Sequence, residues 1–238
     1  MIDLIQAEAM IRDSAASDEY RFKSLSFVPD VFYDIGANVG GVTLHVASLF
    51  PDIKIVAVEP QEDNYQSLVE NTKHLPNVVP VNAAMVADAK VYRCPTSPGI
   101  GNWIFNSESS PTFVEDWVVS DVAAVTLDQL YEKYGGTRRV VKVDCESGEL
   151  MLLTHKPSKR AAFDAEYFAG EFHLWGSTHN VLKDMMRKFL WWLYQFSMTH
   201  NVDVELRGGM AMVFATKRAV ADGENNWEDV LKLQEKSE

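Results

Sequence analysis

The chain has 238 residues and a formal net charge of −12. That length suits one α/β domain with a sizeable core, and the charge has the wrong sign for broad phosphate neutralisation, so no nucleic-acid partner is expected. Two separated cysteines, Cys94 and Cys145, argue against a disulfide framework; with no cationic leader and no apolar run near the ~18 residues of a membrane span, a soluble, cytoplasmic protein with no membrane partner is expected.

Residues 1–12 carry apolar side chains at helical spacing (Ile2, Ile5, Ala9), and 1–26 read as a helical arm that either caps one side of the ligand pocket or packs on a partner subunit. The main domain is expected over 27–218, with a charged helical tail over 219–238. Residues 31–35 form a short apolar run of the kind found in the middle of a parallel sheet. Gly36 and Gly40 follow it, then apolar residues at helical spacing, Val42, Val46, Leu49 and Phe50. This is a strand, a turn that lets backbone approach a ligand, and a helix. Asp34 stands at the carboxyl end of the strand, where open α/β sheets bind ligands.

Residues 53–58 give a second strand ending in Glu59, Asn64 opens the next helix with Tyr65, Leu68 and Val69 facing inward, and residues 77–85 give a third strand. Alternation of this kind predicts right-handed βαβ units in a doubly wound, mostly parallel α/β sheet. Residues 91–120 break the rhythm. Rich in Pro, Gly and Ser, with Trp103 and Phe105 embedded, they read either as a wall over an acceptor site or as a hairpin excursion that buries its own aromatics.

Thr126 is placed to cap a helix over 127–134 that Gly135 and Gly136 stop. Residues 139–143 give the fourth strand, ending at Asp144; a helix begins at 148, and 156–159 read as an exposed turn. The fifth strand falls within 161–172 and ends near Glu171 and His173. Thr178 then caps a long helix whose apolar face holds Leu182, Met185, Met186, Phe189, Leu190, Leu193 and Phe196, leaving Trp191 and Trp192 for a pocket rim or a homodimer contact. Residues 202–206 and 210–215 read as an antiparallel edge hairpin about a glycine turn.

The turn after the first strand chooses between two cofactor classes. A dinucleotide site wants a glycine where Asn38 stands, which disfavours NAD and an oxidoreductase. Glu59 suits a ribose diol in either class.

Four motifs in order, Asp34-Ile35-Gly36-Ala37-Asn38-Val39-Gly40, Val58-Glu59-Pro60, Val125-Thr126-Leu127-Asp128 and Lys142-Val143-Asp144-Cys145-Glu146-Ser147-Gly148-Glu149, resemble the FkbM family of S-adenosylmethionine-dependent methyltransferases. The family has Glu-Gly-Ala-Glu where this chain has Glu146-Ser147-Gly148-Glu149. The resemblance implies a class I methyltransferase (Rossmann-like) fold and S-adenosylmethionine as cofactor. It implies Asp34 facing the amino acid portion, Gly36, Asn38 and Gly40 shaping the turn, Glu59 on the ribose, and Asn82 and Ala83 near the adenine. The acceptor it implies is a hydroxyl on a glycan, sugar or other small molecule.

Lys142, Asp144, Glu146 and His173 are the candidates to receive or relay the proton such a hydroxyl loses. Mg²⁺ on Asp144, Glu146, Glu171 and His173 is the less favoured alternative, because no ligand spacing here is diagnostic. A non-catalytic nucleoside-binding or assembly module on the same fold is the competing reading.

Overall fold

Seven short runs, most of them apolar, pair into one sheet. In the computed structural model, which describes residues 12–13, 16–86, 92–95, 105–106, 119–146, 148–174, 179–207 and 210–219, they are β1 (Val31–Ile35), β2 (Lys54–Val58), β3 (Val78–Val81), β4 (Arg139–Val143), β5 (Tyr167–His173), β6 (His200–Arg207) and β7 (Met210–Lys217). The order across the sheet is β6-β7-β5-β4-β1-β2-β3. Neighbours from β5 to β3 run parallel, while β7 is antiparallel to both β5 and β6. An α/β sheet with this order, reversed next-to-edge strand included, is the Rossmann-like methyltransferase fold. The chain builds outward from β1 on one side and then returns to lay β4 on the other. The β1/β4 boundary is therefore the topological switch point, where such sheets hold ligands.

Helices α1 (Gly41–Leu49), α2 (Glu62–Thr72), α3 (Leu127–Tyr134), α4 (Lys156–Phe163) and α5 (His179–Ser197) flank the sheet. Side chains alternate along a strand, so each strand serves two cores. Val31, Tyr33, Ile35, Val141, Val143, Phe168 and Phe172 pack with residues of α3, α4 and α5. Phe32, Ile55, Val140, Tyr167 and Ala169 pack on the other side with Val46 and Ala47 of α1 and with Tyr20 and Phe22. The described part of the N-terminal arm thus belongs to the second core. Arg21 stacks 3.7 Å over Phe214 and pairs with Asp203 and Glu205, fastening it to the sheet edge.

The local signals were accurate where caps or strong runs were present. β1, β4 and α3 have the expected bounds, and Thr126 closes a full capping box with Gln129. Four expectations are corrected. Residues 77–85 do not form one strand: β3 ends at Val81, and Ala84–Met85 pairs instead with Ala124–Val125. The helix α2 starts at Glu62 with Gln61 as its cap, two residues before Asn64.

Residues 156–159 are not an exposed turn but the first half of α4, capped by His155 with Pro157 in its opening turn, a position where proline costs no hydrogen bond. Trp192 is not off the apolar face of α5. It is fully buried against Phe163, Phe168, Phe172, Phe189 and Phe196, while Leu190 is 58% exposed. Trp191 and Tyr194 do stay outside, stacked on each other.

Tyr92–Pro95 pairs with Phe105–Asn106 and Val119–Val122 in a small antiparallel sheet, as a hairpin excursion requires. Trp103, Thr178, the 208–209 turn and the expected helices over 1–11 and 226–236 lie outside the described residues. Among the described residues, no helix is long and apolar enough to cross a membrane.

Candidate cofactor and active site at the strand ends

The turn after β1 is a run of left-handed backbone. Gly36, Asn38 and Gly40 have φ of 78°, 51° and 95°, a region open to glycine and tolerated by asparagine. At Gly36 the requirement is also steric, since a Cβ there would stand 1.7 Å from the Asp144 carbonyl oxygen. β1 and β4 therefore approach to a distance that any side chain at Gly36 would prevent. The amides of Gly36 and Ala37 donate to the Val58 carbonyl at 3.0 and 2.9 Å, tying the turn to β2.

Glu59, at the end of β2, closes the other side of that turn. Its carboxylate accepts from the Asn38 amide and the Gln61 amide, each at 2.9 Å, and from Asn64 Nδ2 at 3.5 Å. Burial pushes its carboxyl up to about 7, against the pull of these hydrogen bonds. A carboxylate has about four acceptor positions and three are used here, which leaves room for a ligand hydroxyl. Asn82 turns its amide toward the same loop, donating to the carbonyls of Glu59 and Pro60 at 3.3 and 3.5 Å, and Ala83 is buried beside it.

Asp34 and Lys142 are paired across the β1/β4 register. Alternation puts both on the sheet face that carries Tyr20 and α1, and both are buried. Thr43 Oγ1 donates to one Asp34 oxygen at 2.7 Å, and Lys142 Nζ lies 3.3 Å from the other. The same ammonium donates to the Gly36 carbonyl at 2.7 Å and the Ile35 carbonyl at 3.2 Å. Burial opposes its charge, but Asp34 and Asp144 outweigh that and hold its pKa above the ordinary lysine value. The pair braces the turn from beneath.

Asp144, Glu146 and His173 form a separate group one step further out. Asp144 is half-buried, raised by burial, and accepts from Tyr20 Oη at 2.9 Å. His173 Nε2 lies 3.5 Å from Glu146 and 3.3 Å from Glu171, and its Nδ1 lies 2.9 Å from Glu149. Burial draws the imidazole down, but its hydrogen bonds with Glu149 and Glu171 prevail and push it up to about 10. Burial raises Glu146, whereas the bond to His173 lowers Glu171.

Of the sequence candidates, Asp144, Glu146 and His173 converge on one cluster. Gly36, Asn38, Gly40, Glu59, Asn82 and Ala83 line the neighbouring turn, and Asp34 and Lys142 lie beneath it. Three participants carried no assigned role in the sequence reading. Glu149 is the last residue of the fourth motif and Thr43 lies three residues after Gly40, the last of the first, positions that offer a signal. Tyr20 reaches Asp144 across 124 residues, and no local pattern announces it.

No family model matches this chain, and no curated protein sequence matches it. Solved structures do resemble it. A precorrin-6y C5,15-methyltransferase from Geobacter metallireducens shares 14% identity over 92% of this chain and 90% of its own, with a TM-score of 0.43. An S-adenosylmethionine-dependent methyltransferase from Aquifex aeolicus shares 11% over 92% and 100%, with a TM-score of 0.44. Aeropyrum pernix fibrillarin, solved with natively bound S-adenosylmethionine, shares 13% over 84% and 73%, with a TM-score of 0.42. The fold assignment rests on strand order and direction, not on likenesses of this degree.

Proposed function

We propose that this chain is an S-adenosylmethionine-dependent methyltransferase that methylates a hydroxyl on a sugar or other small metabolite. The observation that carries the reading is the left-handed Gly36-Asn38-Gly40 turn with Glu59 closed against it at the β1/β4 switch point. That arrangement suits a nucleoside: backbone approaches closely over the glycines, and Glu59 keeps acceptor capacity for ribose hydroxyls. The order of the four sequence motifs, which resembles the FkbM family, supports the same cofactor. The enclosed Lys142–Asp34 pair fixes the height of the turn rather than meeting substrate.

Methyl transfer is a single displacement. The acceptor oxygen forms a bond to the methyl carbon as the sulfonium–carbon bond breaks, the sulfur leaves as a neutral thioether, and the hydroxyl proton must go elsewhere. Holding the oxygen in line behind the methyl supplies much of the acceleration. The proton falls to the cluster of Asp144, Glu146 and His173: burial raises the Asp144 and Glu146 carboxyls, which strengthens them as proton acceptors, while His173, pushed up to about 10, stays protonated beside them and orients Glu146. The carboxylates of Asp144, Glu146 and Glu171 at this mouth repel a phosphate-bearing acceptor, which favours a neutral polyol.

Calorimetric titration with S-adenosylhomocysteine and with NAD tests the cofactor: binding of the first alone is expected, and binding of NAD alone would overturn it. Glu59→Ala is expected to weaken S-adenosylhomocysteine binding about tenfold or more, on the order of 1.4 kcal/mol. An unchanged affinity would remove Glu59 from the site.

A further inference from the structure

The cluster at the ends of β4 and β5 has the makings of more than a set of ion pairs. One ligand-capable atom from each of Asp144, Glu146 and His173 lies within 4.8 Å of the other two. Bonds of ~2.1 Å to an ion between them need only a small inward rotation of these side chains. Two features separate the group from a patch of surface acids. The first is that one member is an imidazole only 4% exposed.

The second is a buried outer shell. Glu149, with no exposed surface, accepts from both the His173 amide at 2.7 Å and His173 Nδ1 at 2.9 Å. This commits Nδ1 as a donor and aims Nε2 at the carboxylates of Glu146 and Glu171. A carboxylate holding the far nitrogen of a histidine is how metal-ligating imidazoles are fixed in tautomer and direction. Tyr20 orients Asp144 in the same manner, donating to Oδ2 at 2.9 Å.

We propose that Asp144, Glu146 and His173 form a binding site for a divalent first-row metal cation, with Glu149 and Tyr20 as its orienting groups. One nitrogen with two carboxylates favours Mn²⁺, Fe²⁺ or Zn²⁺ over Mg²⁺ or Ca²⁺, which take oxygen donors. Binding of the ion stands on this geometry alone. Its use in catalysis rests on the methyltransferase reading and would replace direct proton transfer to these side chains, which as ligands no longer act as bases: a hydroxyl bound to the ion would lose its proton to solvent more readily, and the resulting oxygen would take the methyl as the sulfonium becomes a thioether.

The test uses the full chain without nucleoside, titrated with Mn²⁺ and followed by the electron paramagnetic resonance signal of the free ion. One Mn²⁺ per chain is expected, with a dissociation constant below about 1 mM, weakened tenfold or more in Glu146→Gln and in His173→Gln. Far-UV circular dichroism checks the fold of each variant. If His173→Gln unfolds, Glu146→Gln, at a half-exposed turn position, decides alone.

No saturable Mn²⁺ binding in the wild type, or full wild-type affinity in folded Glu146→Gln, would overturn the site. S-adenosylhomocysteine is titrated separately. A chain that takes Mn²⁺ but not the nucleoside keeps this site and loses the methyltransferase reading; the reverse result keeps the reading and removes the site.

Discussion

The two faces of the sheet solve opposite problems with the same strands. On the α5 side, alternate positions of β1, β4 and β5 are apolar to their ends, and Phe168 and Phe172 meet Trp192 and Phe196 in a continuous aromatic block. On the α1 side, the same strands begin apolar, with Phe32, Val140 and Tyr167, and finish charged, with Asp34, Lys142, Glu171 and His173. Non-directional burial holds the first face together, whereas the second has charges taken out of water that persist only because each is matched. The stable face is a platform, and the costly face is where ligand chemistry is placed.

Truncation on the platform should have the largest effect. Trp192→Ala removes a fully buried indole that meets five aromatic rings, and a loss of about 3–5 kcal/mol in urea unfolding is expected. A loss under about 1 kcal/mol would mean that the aromatic block does not anchor α5.

On the charged face the signature is coupling rather than volume. Lys142→Met leaves Asp34 and two carbonyls without their cation, and about 3 kcal/mol or more should be lost. Adding Asp34→Asn to that variant should recover part of the loss, because the uncompensated charge disappears with it. Strict additivity of the two single changes would show that the pair is not a unit.

A smaller, pH-dependent effect sharpens the contrast from the platform side. His200 is wholly buried, its Nε2 bonded to the Ala165 carbonyl at 2.9 Å, and burial draws its pKa down to about 4. The unfolded chain has this imidazole near 6.5, so it takes up a proton that the folded chain refuses. The stability this group provides is complete above pH 6.5 and is lost as the pH falls toward 4, by on the order of 2–3 kcal/mol. His200→Gln should flatten that part of the stability profile. A profile as steep as the wild type's would assign the acid sensitivity elsewhere.

How much was legible in advance varied with the range of the forces involved. The α3 cap, the β4 run and the glycine turn after β1 are decided within a few residues, and all were read from the chain. α4 was missed because Lys156, Lys159 and Arg160 gave it a solvated look, although Lys159 is 4% exposed and Ala162 fully buried in the folded protein. On α5, Met186, Phe189, Leu193 and Phe196 of the expected stripe do pack on the core, but Leu190 stands outside and Trp192 inside, because periodicity alone gives the width of a face and not its centre. The β5 block of Phe168 and Phe172 sets that centre on Trp192.

The sequence by itself determined the alternation of strands and helices, the tight turn at Gly36 and the delivery of carboxylates to one edge of a parallel sheet. Each follows from hydrogen bonds and steric limits that act along the chain. Only the tertiary structure decided that Lys142 clamps the Gly36 carbonyl from 106 residues away and that Glu149 holds His173. Pairings of that kind depend on strand register and on which face a side chain takes when two distant strands meet.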